Sequence, residues 1–269
     1  MRILDKINRL KEQESDILTK ITRLDMSTYS TNSPVCEFCG KARIESFPGY
    51  FKPCDCEEGQ KLYKAYVSAV RDRTDLEGML ELVRDNIEYF NSQAQRLLEK
   101  SNIGKRFQSR TFENFEGGGD AYEMALEYSN GFESNTGEGL ILTGTVGTGK
   151  THLAAAIVNR VVQMGIPARF LTSIELFEVL KDFSQETLNK IKTVPLLVID
   201  DLAKEKETDW NREKLFEVIN ARYENCLPVV ITTNATPGDL EASVGKATFS
   251  RLAEMCKWVS MTGKDWRMK

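Results

Sequence analysis

The chain has 269 residues, of which 41% are hydrophobic and 28% are charged. This composition is ordinary for a globular protein, and the length predicts a core domain with a smaller module. The net charge of −4 divides into +2 over residues 1–110 and −6 over the remainder. A broad basic surface for nucleic acid is therefore excluded, and any contact with nucleic acid must be local.

Two features of the sequence predict its compartment. No apolar run reaches about 18 residues, which argues against a membrane span. Residues 1–16 are charged throughout and lack the apolar centre of a signal peptide. We therefore expect a cytoplasmic location, in which the six cysteines are thiols or metal ligands rather than disulfides.

Residues 1–27 are predicted to form an amphipathic helix. Its apolar residues recur at alternating spacings of four and three, the pattern of a coiled-coil seam, with Glu14 as the only break. They are Ile3, Ile7, Leu10, Ile17, Ile21 and Leu24. Such a seam packs either within its own chain or on another chain, and the sequence does not separate the two.

Four cysteines within residues 36–56 form the pattern C-x₂-C-x₁₄-C-x-C. They are Cys36, Cys39, Cys54 and Cys56. Four thiolates suit a tetrahedral Zn²⁺, and a site with no open position is expected to hold the fold rather than do chemistry. Free thiols and an iron–sulfur cluster are the alternatives.

A domain boundary is predicted in the middle of the chain. Residues 57–100 have a helical pattern with an interruption near 74–78, and residues 101–115 are a linker with aromatic and basic side chains. We therefore expect an N-terminal domain over residues 1–104 and a second domain over residues 105–269.

The second domain alternates strands with helices. Short apolar runs predict strands at 140–143, 168–171, 195–199, 228–232 and 258–261. Helical patterns lie at 122–130, 152–164, 210–226 and 247–257. Strands that are separated by helices predict an α/β fold, with a parallel sheet and helices on both of its faces.

A glycine-rich loop follows the first of these strands. Residues 144–151 match G-x-x-x-x-G-K-[ST] at every fixed position, between a strand and a helix. They are Gly144, Thr145, Val146, Gly147, Thr148, Gly149, Lys150 and Thr151. The loop is expected to wrap its N–H groups around phosphates, with Lys150 reaching the β- and γ-phosphates and Thr151 ligating Mg²⁺. The sequence therefore predicts a nucleoside triphosphate site.

Two further strand ends are expected to complete this site. Asp200 and Asp201 follow the apolar run 196–199, and Asn234 follows the strand at 228–232. Asp200 is expected to hold Mg²⁺ together with Thr151, and Asp201 to activate the attacking water. Asn234 is expected to orient that water against the γ-phosphate. Because Asp201 is one methylene shorter than glutamate, slow turnover is a hypothesis.

Two arginines are candidates for contact with the γ-phosphate. Arg251 is expected at an exposed helix start, where it would serve the nucleotide of a neighbouring subunit. Arg267 is expected to reach the nucleotide of its own subunit. A surface salt bridge is the alternative role for each. His152, the single histidine, is expected to pack or to hydrogen-bond rather than to bind metal.

Taken together, five stretches resemble the DnaC/DnaI helicase-loader branch of the AAA+ ATPases. They are GTVGTGKTHLAAA, LLVIDDLAKEK, VVITTN, FSRL and GKDWR. The phrase RFQSRTFENF is similar to the start of that family's ATPase domain, and the resemblance covers about residues 105–269. The cysteine module looks like the zinc-bearing N-terminal domain of the DnaI type, but its C-x₁₄-C-x-C half departs from a ligand set that contains histidine.

The resemblance implies a function and a set of partners. It implies an ATP-dependent loader that places a ring-shaped replicative helicase on single-stranded DNA. The N-terminal domain would bind the helicase, and the ATPase domains would associate into a spiral that binds DNA. The resemblance also implies that the C-terminal helical lid of other AAA+ proteins is missing here.

The same resemblance implies where single-stranded DNA is contacted. A helical insertion after the second strand of the sheet, at residues 174–192, would supply the contacts. The candidate residues are Lys181, Phe183, Lys190 and Lys192. Basic and aromatic groups suit backbone tracking and base stacking. The alternative is a solvated amphipathic helix with Phe183 in the core.

Two other functions stay open at the level of sequence. An IstB-type transposition helper shares this ATPase core, but it would wrap duplex DNA, recruit a transposase and need no four-cysteine module. A third possibility is a helicase-binding adaptor whose ATPase is nearly silent and whose function resides in residues 1–100.

Overall fold

The structure is a computed structural model, and it describes residues 3–24, 35–37, 39–42, 45–47, 50–51, 53–181, 185–203 and 208–263. The chain divides into two compact units, Asp5–Asn91 and Ser92–Lys269, the latter together with Met1–Leu4. This division falls before the boundary expected at residues 104–105, which stays a prediction. None of the helices in the described part of the chain is long and apolar enough to cross a membrane.

The first unit contains two helices and a small two-stranded sheet. In chain order these elements are α1 (Ile3–Arg23), β1 (Glu45–Phe47), β2 (Tyr50–Phe51) and α2 (Glu57–Lys100). β1 and β2 pair in the antiparallel direction. α2 is continuous over its 44 residues and extends into the second unit.

The apolar seam of α1 is buried within its own chain. Ile7 and Ile17 are 7% and 4% exposed. Glu14, the break in the seam, accepts a hydrogen bond of 2.8 Å from Nε of Arg84 in α2. Lys6 Nζ lies 4.9 Å from the ring centroid of Phe90. The earlier residue of α1 contacts the later residue of α2, so the two helices run antiparallel. Of the two alternatives, the structure therefore shows the seam packed within its own chain.

The interruption expected in α2 near residues 74–78 is wrong. Within this stretch Arg73 Nε donates to Glu77 at 2.8 Å, and the Thr74 hydroxyl donates to the carbonyl oxygen of Val70 at 2.9 Å. Gly78 costs about 1 kcal/mol relative to alanine in a helix. Breaking a long helix and nucleating it again is less favourable than carrying one glycine through it.

The second unit is built on one parallel sheet of five strands. They are β3 (Gly139–Gly144), β4 (Ala168–Thr172), β5 (Leu196–Asp200), β6 (Val229–Thr233) and β7 (Cys256–Met261). Their order across the sheet is β4-β5-β6-β3-β7, and every pair is parallel. The predicted parallel α/β fold is confirmed.

Helices cover both faces of this sheet. They are α3 (Lys105–Gln108), α4 (Asp120–Asn130), α5 (Lys150–Gln163), α6 (Ser173–Lys181), α7 (Gln185–Thr193), α8 (Asp209–Glu224), α9 (Pro237–Val244) and α10 (Lys246–Met255), with a short 3₁₀ turn at Phe132–Ser134. No helix follows β7 in the described part of the chain, which ends at Gly263.

Alternation along the strands produces two cores. Leu140 and Leu142 of β3 pack with α4 and α5, whereas Ile141 packs on the opposite face with α6 and α8. Successive side chains of a strand point to opposite faces, so a fully apolar strand is buried on both sides. Because all five strands run in the same direction, the carboxyl ends of β3, β5 and β6 meet at one edge of the sheet.

A buried arginine stabilises the opposite edge of the sheet, at the amino ends of β5 and β6. Arg222 of α8 is 0% exposed, and its guanidinium donates to the carbonyl oxygens of Ile191, Val194 and Pro228 at 3.0, 2.9 and 2.6 Å. Desolvation lowers its pKa to about 10. The cation is thus buried against the last turn of α7 and the starts of β5 and β6, where carbonyl groups would otherwise lack donors.

Candidate functional site

The glycine-rich loop turns tightly between β3 and α5. Gly144, Gly147 and Gly149 have φ values of 141°, 81° and 97°, which disfavour any side chain. A Cβ on Gly149 would lie 2.6 Å from the ring of Phe115, and one on Gly144 would collide with the carbonyl oxygen of Met261. Gly149 is the N-cap of α5, so the first N–H groups of that helix are presented at the loop, as phosphate binding requires.

Lys150 is held over the loop that it follows. Its side chain is buried, and Nζ donates to the carbonyl oxygens of Gly144 at 2.8 Å and Thr145 at 2.7 Å. The hydroxyl of Thr148 donates to the same Thr145 oxygen at 3.0 Å. The cation therefore lies inside the loop, where it can meet the phosphates of a bound nucleotide.

Thr151 and Asp200 meet at the sheet edge. The Thr151 hydroxyl donates to Asp200 Oδ1 at 3.0 Å, and the Thr232 hydroxyl donates to the same oxygen at 2.5 Å. Asp200 is 4% exposed. Its burial raises the pKa of the carboxyl group, while the hydrogen bonds from Thr232 and Thr151 and the charge of Lys150 oppose that shift. A hydroxyl and a carboxylate side by side are the hard oxygen donors that Mg²⁺ prefers.

A cavity of about 800 Å³ opens over this edge. Asp201 and Asn234 line it together with Val146, Gly147, Gly149, Lys150 and Thr151. Asp201 has a positive φ of 56° and its carbonyl oxygen accepts a hydrogen bond of 3.1 Å from the Ser173 hydroxyl. The residues that the sequence assigned to three separate motifs are thus brought to one cavity.

Residues 105–117 also contribute to the cavity lining, although the sequence presented them only as a linker and the start of the second domain. The cavity-lining residues of this segment are Arg106, Phe107, Arg110, Asn114, Phe115, Glu116 and Gly117. α5 anchors this segment, because Asn159 Nδ2 donates to the carbonyl oxygens of Phe107 at 3.2 Å and Arg110 at 2.7 Å. The sequence shows the clustered aromatic and basic residues of this segment but not that they line the cavity.

His152 joins the 105–117 segment to the loop. Its Nε2 lies 2.9 Å from the carbonyl oxygen of Thr111, and the Phe115 ring meets the imidazole edge-on with centroids 5.1 Å apart. Because the partner is a carbonyl oxygen, Nε2 carries the proton. Burial lowers the pKa of His152, so the imidazole is neutral at pH 7. The hydrogen-bonding interpretation of this residue agrees with these contacts.

Arg251 is not among the residues that line this cavity. It belongs to the middle of α10 and is half-buried, rather than at an exposed helix start as expected. Its Nε donates to Asn220 Oδ1 at 2.7 Å, and its guanidinium lies 4.7 Å from the ring centroid of Phe216 in α8. Arg267 lies outside the described residues.

The described residues of the insertion after β4 form the helices α6 and α7. Lys181 ends α6 and is exposed. Lys190 Nζ pairs with Glu186 and Lys192 Nζ with Glu217, each at 2.6 Å. Each of these two lysines thus has an acidic partner within the chain, and their contact with single-stranded DNA stays a prediction. Phe183 lies outside the described residues.

The four predicted cysteines converge within the first unit. Their sulfur atoms all lie within 4.8 Å of one another. The Cys36–Cys56 and Cys39–Cys54 sulfur pairs are 3.6 and 3.4 Å apart. A tetrahedral zinc with Zn–S distances of about 2.3 Å places its sulfurs about 3.8 Å apart. The donor set and spacing therefore fit Zn²⁺.

The fold and the loop define the class of this protein as an AAA+ P-loop nucleotide-binding protein. A family model described as "IstB-like ATP binding protein" matches residues 69–269. The chain belongs to this IstB/DnaC-type family of ATP-binding proteins.

Three similar proteins illustrate the relationship. The uncharacterized protein YqaM of Bacillus subtilis (strain 168) is 33% identical over 180 residues, which span 60% of this chain and 57% of YqaM. The replicative helicase loader DnaC of Escherichia coli (strain K12) is 28% identical over 169 residues, 59% of this chain and 69% of that protein. The crystal structure of the DnaC helicase loader has a TM-score of 0.54 at 25% identity and covers 59% of this chain and 100% of that one.

Proposed function

We propose that this protein is an ATP-dependent loader that binds a replicative DNA helicase and places it on single-stranded DNA. The similarity to a helicase loader supports this function. The observation that carries it is the four-cysteine cluster outside the ATPase core, because a transposition helper would need no such module.

The cavity supports ATP hydrolysis with a role for each residue. Lys150 and the N–H groups of the loop bind the β- and γ-phosphates, and Thr151 and Asp200 hold Mg²⁺. A bound Mg²⁺ neutralises charge that develops on the phosphates. Asp201 takes a proton from the attacking water, which Asn234 orients. The product is ADP and phosphate, and turnover is slow because the Asp201 carboxylate is short.

The remaining groups extend this proposal. The aromatic and basic side chains of the 105–117 segment that line the cavity would hold the base and ribose of ATP. Arg251 completes the site of a neighbouring subunit in a self-associated assembly. The first unit, held by a structural zinc, binds the helicase. α6 and α7 contact single-stranded DNA, with Lys181 exposed at the end of α6.

Binding to partner proteins tests this function directly. The full-length chain is mixed with the replicative helicase of the same organism and separated by size-exclusion chromatography, with ATP and with ADP. We expect a complex with the helicase and an ATP hydrolysis rate that rises when single-stranded DNA is added. Failure to bind the helicase under both nucleotide conditions contradicts the loader.

The second candidate is the IstB-type transposition helper, which belongs to the same family of ATP-binding proteins. It predicts ATP-dependent binding to duplex DNA and to a transposase, neither of which the loader requires. A helicase complex without ATP hydrolysis in either the presence or absence of single-stranded DNA would instead support the adaptor. The same samples therefore separate the three functions.

A further inference from the structure

Thr232 of β6 lies between the two acidic residues of the site. It is 0% exposed, and its side chain points to the same face of the sheet as Val230, which packs under α5. Asp200 ends the neighbouring strand β5 and points to that face as well, two residues after Val198. Thr232 thus lies beside the buried carboxylate of Asp200, at a position on this face where an apolar side chain would otherwise extend the core.

The hydrogen bonds of Thr232 determine where its proton goes. Asp201 N donates to Thr232 Oγ1 at 2.9 Å, and Leu202 N donates to the Thr232 carbonyl oxygen at 2.9 Å. Because Oγ1 accepts from Asp201, its own proton is directed to the other neighbour, Asp200 Oδ1, at 2.5 Å. A hydroxyl can accept and donate at once. Here the Thr232 hydroxyl accepts from the backbone of Asp201 and donates to the carboxylate of Asp200, both at the end of β5.

The Thr232 hydroxyl orients the Asp200 carboxylate together with the hydroxyl of Thr151 in α5. Oδ1 accepts hydrogen bonds from Thr232 and from Thr151, whereas Oδ2 has only a longer contact of 3.3 Å to Thr151 among the described residues. Two donors on one oxygen fix the rotation of the carboxylate. Partners of this kind, which hold a metal ligand in place, commonly change metal affinity by about 10–100-fold when they are lost.

We propose that Thr232 is a positioning residue, whose hydroxyl holds Asp200 in the orientation that couples Mg²⁺ to ATP binding. The proposal rests on the magnesium role given to Asp200 in the proposed function, but not on the helicase partner. Because the role concerns the binding of ATP and Mg²⁺, it is tested by measuring ATP affinity rather than the rate of hydrolysis.

The test compares ATP affinity with and without magnesium. Isothermal titration of the full chain gives Kd for ATP in excess Mg²⁺ and in excess EDTA, and their ratio reports the tightening by the ion. Thr232→Val removes the hydroxyl while keeping the volume. We expect the ratio of the two Kd values to fall about 10-fold or more toward 1 in this variant. The Kd measured in EDTA is expected to change less than about threefold, because the glycine-rich loop is unaltered.

Two further variants distinguish positioning from a general effect of packing. Thr232→Ser keeps the hydroxyl and is expected to retain the wild-type ratio within about threefold. Thr233→Val removes the next hydroxyl on the same strand, which donates to the Leu202 carbonyl oxygen at 2.7 Å and accepts from Ala235 N at 3.1 Å without touching a carboxylate. Its ratio is expected to stay at the wild-type value within about threefold, because the Thr233 hydroxyl bonds only backbone groups and residues that do not share partners couple little.

Three outcomes overturn the proposal. The first is a ratio in Thr232→Val that equals the wild-type ratio. The second is a ratio in Thr232→Ser that falls as far as in Thr232→Val. The third is a wild-type ratio near 1. If Thr232→Val does not fold, Thr232→Cys replaces it, since a thiol is similar in size to a hydroxyl but a weaker donor. The ratio in Thr232→Cys must then fall well below that in Thr232→Ser. Loss of helicase binding in the wild type leaves this ratio unaffected, so failure of the loader function is recognised separately.

Discussion

The nucleotide site and the cysteine cluster gather their residues in opposite ways. The nucleotide site takes its groups from residues 106–234 and places them on the edge of a sheet whose strands β5 and β6 are buried throughout. The cysteine cluster takes all four ligands from residues 36–56. Among the residues there whose burial is described, only Cys36 is buried.

This difference teaches what holds each region. A sheet edge is rigid because an apolar core of the whole unit supports it, so its polar groups can stay aligned before any ligand binds. A segment as short as residues 36–56 cannot bury enough apolar surface to order itself. We therefore expect the cluster to depend on its metal and the nucleotide site to depend on its core.

Removing the metal is expected to have the largest effect and to separate the two regions most clearly. The full chain is expected to carry about one Zn²⁺, and such ions contribute apparent binding energies of about 10–16 kcal/mol to folding. Cys39→Ser is expected to lose the zinc and the structure of the cluster while ATP affinity is retained. Metal analysis and nucleotide titration measure both.

Cys226→Ser is the matched control for that change, because Cys226 is exposed and lies outside the cluster. Its zinc content is expected to stay at one per chain. A wild-type chain that is purified folded and free of metal would contradict the zinc site and with it the contrast between the two regions.

Replacing Arg251 tests whether the nucleotide site is complete within one chain. Arg251→Ala is expected to keep ATP affinity but to lower hydrolysis by about 10³-fold, because the arginine serves a neighbouring subunit. Mixing it with Lys150→Ala is expected to restore part of the activity, since one variant binds ATP and the other supplies the arginine. Steady-state ATPase assays of the mixture measure this.

Absence of complementation in stable mixed assemblies argues against a role for Arg251 on a neighbouring nucleotide. A melting curve controls for folding, because Arg251 also packs on two rings of α8. Its Cζ lies 4.7 Å from the ring centroid of Phe216 and 5.7 Å from that of Tyr223. Such contacts contribute about 0.5–1 kcal/mol at accessible sites.

Replacing Lys150 weakens the nucleotide site at its centre. Lys150→Ala is expected to reduce ATP affinity by about 100-fold or more, because charge-assisted hydrogen bonds to phosphate are lost. The zinc content is expected to stay unchanged. Equilibrium titration with ATP measures the loss, and Lys246→Ala, an exposed lysine on α10, serves as the control. Equal affinity in Lys150→Ala and the wild type is incompatible with the assigned site.

The smallest expected effect is a pH dependence from His152. Its folded-state pKa is lowered by burial, below an unfolded value of about 6.5. The unfolded chain therefore binds more protons in this window, and the contribution of His152 to stability, present above pH about 6.5, is lost as pH falls toward the folded-state pKa.

Urea unfolding between pH 7 and pH 5 measures this contribution. His152→Gln, which keeps an N–H donor for the Thr111 carbonyl oxygen, is expected to flatten the loss of stability on acidification relative to the wild type. Identical pH profiles for the two proteins would show that His152 is not the group that titrates.

The sequence predicted the sheet and the phosphate loop well, for a local reason. Strands β3 to β7 are short apolar runs bounded by polar residues, and the spacing of Gly144, Gly149 and Lys150 is itself the geometry of the loop. It predicted a break in α2 because the apolar pattern is interrupted near residues 74–78, a local signal that the continuous helix overrides.

What the sequence alone determined is the parallel α/β fold, the nucleotide loop and the grouping of four cysteines, since each depends on residues that are close together along the chain. The tertiary structure alone decided that the 105–117 segment lines the cavity, that Arg251 packs on α8, and that Thr232 holds Asp200. These contacts join residues far apart in sequence. They depend on strand order, register and packing, for which no single stretch of residues carries a signal.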